Sequence, residues 1–280
     1  MRANLLHYTN NILDTLQELF FNCDFKYMSS IFTYLRDLKR RRSVEIYCKK
    51  FGDNFTINGL DVSVPKTVST SIRYLLLKKR PYEREEMSFA LSVLKNGTNI
   101  VELGGSIGVL SRVIRNKIGL TAKHFIVEAN PNLLTICKNN STHGAEETAT
   151  EVIHGAIAYV KTKTVAFATD ESEHSGKIAS LEDTNTINVP VIQLSNLTKK
   201  LPRNQEAILI CDIEGGEYEM FLNEPRTTFQ FFSYAVVEIH PKVFKKMGYT
   251  EKDFFELLCS KNISLVQRNK NVLLLSFSKN

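Results

Sequence analysis

Residues 99–111, NIVELGGSIGVLS, constrain the fold more than any other stretch of the chain. A short apolar run ends in the acid Glu102 and is followed by a turn and a second apolar run that is typical of a helix. The turn contains three glycines, Gly104, Gly105 and Gly108. Because glycine has no Cβ, a ligand can approach such a turn closely, and the first amides of a helix favour anionic or polar groups. The stretch predicts a strand, a turn and a helix that bind a nucleotide-like cofactor.

The spacing of these glycines distinguishes between cofactors. A dinucleotide fingerprint requires G-x-G-x-x-G, and its later glycines, counted from Gly104, would fall at Ser106 and Val109. We therefore do not expect a nicotinamide oxidoreductase. The remaining pattern, an acid, any residue, glycine, three residues and glycine, resembles motif I of the class I S-adenosylmethionine (SAM) methyltransferases.

A second acid ends the next predicted strand. The run from His124 to Val127 leads directly into Glu128, and Pro131 follows shortly after. In a doubly wound sheet, an acid about 20 residues beyond the glycine turn accepts hydrogen bonds from the ribose hydroxyls. We predict that Glu128 binds the ribose. The alternative is that Glu128 caps the helix that begins near Pro131.

Strands and helices alternate along the rest of the chain. Further apolar runs at 151–157, 189–194, 207–211 and 234–239 predict strands, and residues 82–94 predict a helix. This alternation specifies a mainly parallel sheet with right-handed crossovers. The last two runs, at 264–267 and 271–277, predict a hairpin at an antiparallel edge. The sequence therefore predicts a Rossmann-like α/β fold with an N-terminal helical cap and short β-strands.

Two segments with different patterns of apolar residues precede this domain. Residues 1–43 carry apolar side chains at three- and four-residue steps, which predicts a helical N-terminal extension, either a cap or a dimerisation element. Residues 44–80 begin with alternating apolar residues separated by turn residues, which predicts a small segment of short antiparallel strands and a linker. We assign residues 81–280 to the main domain. Within it, the polar loop at 162–188 is expected to shape the entrance to the substrate-binding site.

The net charge of +6 is concentrated in two basic runs, Lys39–Arg42 and Lys78–Arg80. Such runs are usually solvated helix ends, and the alternatives are contact with an anionic membrane surface, a glycolipid phosphate or nucleic acid. We do not expect nucleic acid, because no recognisable RNA-binding module accompanies the runs. No membrane-spanning run or signal-peptide pattern is present, and the five cysteines are scattered singly. We therefore expect a soluble, cytoplasmic protein.

Two further clusters of polar residues follow buried strands. Asp212 opens the segment DIEGGEYEM, and Glu238 and His240 lie in the segment EIHP, where alternation along a strand sends both side chains to the same side. Because ligands bind at these strand ends in open α/β sheets, the three side chains are predicted to meet beside the cofactor. His240, neutral near pH 7, would remove the proton of a hydroxyl, with Glu238 or Asp212 orienting it.

Two alternatives to this assignment stay open. The trio Asp212, Glu238 and His240 could instead hold Mg²⁺, which lowers the pKa of a bound hydroxyl. The purely structural alternative is that Glu214 and Glu217 cap the following helix while His240 only makes a hydrogen bond in a loop.

Four motifs in order, NIVELGGSIGVLS, IVEANPNLL, CDIEGGEYEM and VVEIHP, resemble the FkbM-type SAM-dependent methyltransferases. The resemblance extends from Tyr82 to the C-terminus, and it departs from the family pattern at Ser106, where Asn is common, and at Ser195–Asn196, where Asp is common. It implies O-methylation of a hydroxyl, with SAM as cofactor and packing of the adenine near Ala156. The predicted cofactor residues are Glu102, Gly104, Gly105, Ser106, Gly108, Glu128, Ala156 and Asp212.

These observations together lead to one expected function and one alternative. We expect an O-methyltransferase that acts on a sugar, glycan or related natural product, with a small-molecule or glycan acceptor. The alternative is a non-catalytic SAM-binding scaffold whose basic N-terminal helices dock a partner. Peripheral contact with a membrane glycolipid and assembly into a homo-oligomer stay open.

Overall fold

The computed structural model describes residues 25–169, 176–179, 183–202 and 205–277. The predicted helices within residues 1–24, and parts of the loop at 162–188, lie outside these ranges. The chain divides into two compact units, Met1–Gly52 and Asp53–Asn280. The domain boundaries proposed from the sequence stay predictions.

The described part of the first unit is one long helix, α1 (Phe25–Phe51). The prediction of strand from Val44 onward was wrong for residues 44–51, which form the last turns of this helix. No proline or glycine interrupts the segment, so the helix continues to Gly52, whose φ of +68° and bond from its N–H to the Cys48 carbonyl end it. No helix among the described residues is both long and apolar enough to cross a membrane.

The second unit is an α/β domain. Its strands are β1 (Asn54–Ile57), β2 (Leu60–Ser63), β3 (Asn99–Leu103), β4 (His124–Glu128), β5 (Thr150–His154), β6 (Ala156–Ile157), β7 (Thr164–Thr169), β8 (Gly176–Ile178), β9 (Thr186–Ile192), β10 (Ala207–Cys211), β11 (Phe232–Glu238), β12 (Ile263–Asn269) and β13 (Val272–Phe277). Its helices are α2 (Thr70–Leu77), α3 (Arg84–Val93), α4 (Val109–Ile118), α5 (Pro131–Ser141), α6 (Leu194–Thr198), α7 (Glu217–Asn223), α8 (Arg226–Phe229), α9 (Pro241–Lys246) and α10 (Glu251–Ser260).

In the described chain, the central sheet has seven strands in the order β12-β13-β11-β10-β3-β4-β5. The strands from β11 to β5 are parallel to their neighbours, and β13 and β12 add an antiparallel edge. The Rossmann-like fold class, the strand-turn-helix at 99–111 and the C-terminal hairpin are therefore confirmed. A four-stranded sheet, β6-β9-β7-β8, and the hairpin β1-β2 accompany the central sheet.

Both faces of the central sheet are apolar, as expected for parallel strands covered by helices. Alternation in β10 sends Ile208 and Ile210 to the side covered by α3 and α4, and Leu209 to the side covered by α7 and α10. The helices begin at recognisable signals: Pro131 opens α5, and the Asn130 side chain accepts the Asn132 N–H at 3.0 Å. The buried sheet fixes the strand ends, where the polar motifs lie.

One contact brings the ends of β3 and β10 together. Asp212 donates its N–H to the Leu103 carbonyl at 2.9 Å, and Gly104 has a φ of +90°. A Cβ at Gly104 would lie 1.8 Å from the backbone oxygen of Asp212. Gly104 is therefore required by the closeness of two backbone segments, in addition to any role in approach to a ligand.

This contact predicts that Gly104→Ala destabilises the domain by about 3 kcal/mol or more, since the strain of a positive φ adds to a backbone clash. Gly97 is the matched control, because its φ is +85° and nothing lies within 4 Å of its Cβ position. Gly97→Ala should cost about 1–2 kcal/mol, from conformational strain alone. Urea denaturation of the two variants measures the difference, and equal losses of stability would contradict the clash.

Candidate active site

A cleft of about 220 Å³ opens at the carboxyl ends of β3, β4 and β10. Its apolar lining includes Val127, Leu133, Ala156, Ile157 and Ile213. Its polar lining includes Tyr82, Glu83, Ser106, Glu128, Asp212 and Glu214. The cleft thus has apolar side chains and carboxylates within reach of one ligand, at the edge of the sheet where ligands bind in this class of fold.

Five of the eight predicted cofactor residues line this cleft: Gly104, Ser106, Glu128, Ala156 and Asp212. The other glycines are turned toward the protein. A Cβ at Gly105 would lie 2.4 Å from the Ile126 side chain, and one at Gly108 would lie 2.7 Å from the Cys137 carbonyl oxygen. The packing of α5 and β4 against the turn therefore leaves no room for a Cβ at either position, and the role of Gly105 and Gly108 in cofactor binding stays a prediction.

Glu128 lines the cleft with both carboxylate oxygens hydrogen-bonded. Oε2 accepts the Ser106 N–H at 2.7 Å, and Oε1 accepts the Asn130 N–H at 2.6 Å. Burial raises the pKa of Glu128, and these backbone donors oppose that rise. Glu128 thus ties the glycine turn to the end of β4. Its oxygens still have lone pairs for a ligand, because each carboxylate oxygen accepts about two hydrogen bonds.

Glu102 does not line the cleft. Its side chain is 2% exposed, and it lies between Ser111, whose hydroxyl donates at 2.8 Å, and His124, whose Nε2 is 2.6 Å away. Burial lowers the pKa of His124, although the neighbouring carboxylate opposes this. Glu102 therefore binds α4 and β4 to β3 beneath the turn, and its role as a cofactor ligand stays a prediction.

Asp212, Glu238 and His240 meet as the sequence indicated. One polar atom from each lies within 4.8 Å of the other two, a separation that a single divalent cation could span. The three residues come from the ends of β10 and β11, adjacent parallel strands whose register is fixed from Ile208 to Cys211. This juxtaposition beside the cleft is the central geometric feature of the site.

His240 is surrounded by carboxylates. Its Nδ1 lies 3.0 Å from Glu217 Oε1, and its Nε2 lies 3.3 Å from Glu214 Oε2 and 3.8 Å from Asp212 Oδ1. Burial lowers the pKa of this imidazole, but the hydrogen bond to Glu217 and the negative charges around the ring outweigh burial and raise the pKa to about 9. The expectation of a neutral imidazole near pH 7 is thus corrected, because these contacts favour the imidazolium.

The acids of the site have raised pKa values. Burial and the charges of Glu214 and Glu217 raise the pKa of Asp212 to about 7, against the opposing effect of His240. Burial and a hydrogen bond to Glu86 raise the pKa of Glu238 to about 8. Asp212 Oδ1 is buried without a hydrogen-bond partner among the described residues. Asp212 is therefore poised between its acid and its base form near neutral pH.

Residues 97–261 match the Methyltransferase FkbM domain, which covers more than half of the 280-residue chain. The chain belongs to this methyltransferase family. The motifs at Glu128, Asp212 and His240 all lie inside the matched region.

Solved structures resemble the FkbM domain in fold. A SAM-dependent methyltransferase from Aquifex aeolicus is 11% identical with a TM-score of 0.38, over 72% of this chain and 96% of that chain. Aeropyrum pernix fibrillarin with bound SAM is also 11% identical, with a TM-score of 0.39, over 65% of this chain and 66% of that chain. A search of curated proteins found no significant match.

Residues outside the recognised motifs complete the FkbM site. Glu86, from α3, is 8% exposed and forms a hydrogen bond with the Glu238 side chain. The Tyr82 hydroxyl forms hydrogen bonds with Ser106 and with Glu83, so the segment before α3 is tied to the glycine turn. The pair Tyr82-Glu83 was visible in the sequence, but nothing local to Glu86 indicated that its helix would face β11.

The environment of His240 predicts a measurable titration. By NMR, His240 should titrate near pH 9, and Glu217→Gln should lower its pKa by about 1–2 units, because a charge-assisted hydrogen bond is lost. Glu214→Gln, which removes a more distant carboxylate, should lower it less. The pKa of His240 is higher in the folded than in the unfolded chain. Its contribution to the free energy of unfolding is therefore fully present below about pH 6.5 and is lost as the pH rises through about 9. Titration of His240 at its ordinary pKa would contradict this account.

Proposed function

We propose that this chain is a SAM-dependent O-methyltransferase that methylates a hydroxyl of a sugar, glycan or related natural product. The observation that supports this most is the position of Asp212. It lines the same cleft as Glu128 and also lies within reach of Glu238 and His240. One ligand-sized cleft thus connects Glu128, the carboxylate proposed to bind the ribose, to Asp212, a carboxylate that can accept a proton.

The cleft suits the parts of SAM in order. Each oxygen of Glu128 already accepts one N–H and can accept a ribose hydroxyl as well. Ala156 and Ile157, next to Leu133, offer an apolar surface for the adenine. At the other end, Glu83 and Asp212 provide negative charge for the cationic methionine end. Burial first, and then the neighbouring negative charges, raise the pKa values of Glu83 and Asp212, so a cation bound here would favour their ionised forms.

Methyl transfer requires a base for the acceptor hydroxyl. When bound, SAM would supply an electrophilic methyl group: the acceptor oxygen would bond to the methyl carbon, and sulfur would keep the electron pair of the broken carbon–sulfur bond. The hydroxyl proton passes to the ionised carboxylate of Asp212, whose pKa of about 7 matches the operating pH. His240, which already holds its proton, instead acts as a positioning residue that favours the ionised form of Asp212.

The same groups also fit a divalent cation, as the second way to activate the hydroxyl. Asp212 Oδ1 has no hydrogen-bond partner among the described residues, and one atom from each of Asp212, Glu238 and His240 lies within 4.8 Å of the other two. A donor set of two carboxylates and one imidazole is chemically suitable for such an ion, and binding would require His240 to lose its proton. When bound there, Mg²⁺ or a similar ion would lower the pKa of the acceptor hydroxyl.

Asp212→Asn should lower kcat by about 10²–10⁴-fold, because an amide cannot accept the proton. The assay uses SAM and the best acceptor from a screen of free, glycosidic and phosphorylated sugars, with and without EDTA. The parent enzyme should lose activity below pH 7, where Asp212 is protonated, and again above about pH 9, where His240 is neutral.

Glu219→Gln is the control, because this carboxylate on α7 bonds to Asn223 and lies outside the cleft. Its activity should equal that of the parent. Asp212→Asn with activity close to the parent would remove Asp212 as the base, and complete loss of activity in EDTA would favour the cation instead. SAM binding without transfer to any acceptor would favour the scaffold alternative.

A further inference from the structure

A second cleft, of about 620 Å³, is lined by the β1-β2 hairpin, the end of α2 and the start of α3. Three of its lining residues are cationic, Lys79, Arg80 and Arg84, and none is acidic. The same cleft has apolar surface from Ile57, Leu76, Pro81, Met87 and Leu91. A cleft with several positive charges, no negative charge and apolar walls suits an anionic ligand that also has a nonpolar face.

The three cations are available to a ligand. All three are exposed, and within the described parts of the chain none of them forms an ion pair. Nearby cations differ: Arg73 pairs with Asp53, and Lys270 pairs with Glu85 at 2.8 Å. Two guanidinium groups beside an ammonium group provide the forked donors that recognise phosphate oxygens.

This basic cleft adjoins the candidate active site. Tyr82 lines both the basic cleft and the cofactor cleft. Pro81 and Arg84 also line a third cavity, of about 480 Å³, whose other lining residues are four acids and one cation: Glu83, Glu85, Glu86, Glu238 and Lys270. A ligand of modest size could thus contact the basic cleft and the acids of the active site at once.

The basic cleft and the acidic third cavity have opposite charge, so they favour different groups of one acceptor. The carboxylates around Glu238 repel an anion, whereas a neutral hydroxyl can approach them and give up its proton. A phosphate on the same molecule is stabilised only on the basic side of Tyr82. The charge pattern therefore orients an acceptor that carries a phosphate at one end and a reactive hydroxyl at the other.

We propose that Arg80 and Arg84, with Lys79, bind a phosphate group of the methyl acceptor. The proposal rests on the proposed function, and it narrows the acceptor class to a phosphorylated sugar or a glycan bearing a phosphate. Anchoring through the phosphate holds the hydroxyl beside Asp212 and Glu238.

The test compares two double variants with the same change in charge. Arg80→Glu/Arg84→Glu reverses the proposed site, and Lys95→Glu/Lys117→Glu reverses two exposed lysines that flank the amino end of β3. Calorimetry measures the binding of glucose 1-phosphate, glucose and, separately, SAM. We expect glucose 1-phosphate to bind the parent and the lysine variant alike, and the arginine variant about 10–100-fold more weakly, because two charge-assisted contacts are lost.

SAM binding separates failure of this proposal from failure of the proposed function. All the proteins should bind SAM equally, since neither pair of side chains lines the cofactor cleft. If the parent protein does not bind SAM, the proposed function is overturned. Equal binding of glucose and glucose 1-phosphate, no binding of glucose 1-phosphate at millimolar concentration, or equal weakening by both double variants would overturn the phosphate site.

A second experiment distinguishes a phosphate carried by a lipid from a phosphate on a soluble sugar. Vesicles of phosphatidylcholine with and without phosphatidic acid test a lipid-borne phosphate. Binding that needs phosphatidic acid and is lost in Arg80→Glu/Arg84→Glu, but not in the lysine variant, supports a phosphate carried by a lipid-linked acceptor. Vesicle binding that neither double variant changes would overturn a lipid source for this site.

Discussion

The close approach of Gly104 to the backbone of Asp212 is the constraint on which the candidate site depends. Two parallel strands end side by side, and the turn after β3 touches the first residue after β10. No side chain fits between them. The result is that the cofactor turn and the acidic motif, more than 100 residues apart in sequence, form one wall of one cleft. Glu128 holds the same turn from the other side through the Ser106 N–H.

Charge crowding is the second organising feature. His240 is held by Glu217, and Glu217 is in turn fixed by the Ile213 and Gly215 amides at 3.2 and 3.1 Å. Its imidazolium compensates part of the negative charge around Asp212, while Glu238 forms a hydrogen bond with Glu86. Burial and the closeness of the acids together raise their pKa values, which is the condition for a carboxylate that accepts a proton near neutral pH.

Much of the fold and the meeting of Asp212, Glu238 and His240 were predictable, because parallel strands place their carboxyl ends at one edge of the sheet. The protonation of His240 was not, since it depends on several carboxylates whose distances only the tertiary structure fixes. Glu86 was missed because its helix reaches β11 from a distant part of the sequence. The alternation of apolar residues after Val44 is also typical of a strand, but no helix-breaking residue precedes Gly52, and α1 therefore continues through Val44.

The most direct test of the account is a calorimetric titration of the full chain with SAM and, in parallel, with NAD. The account predicts micromolar binding of SAM and no binding of NAD. The turn has the acid and glycine spacing of SAM-binding motifs and lacks the glycine fingerprint of NAD-binding motifs. No binding of SAM, or binding of NAD at least as tight, would contradict the assignment of the cleft between Glu128 and Asp212.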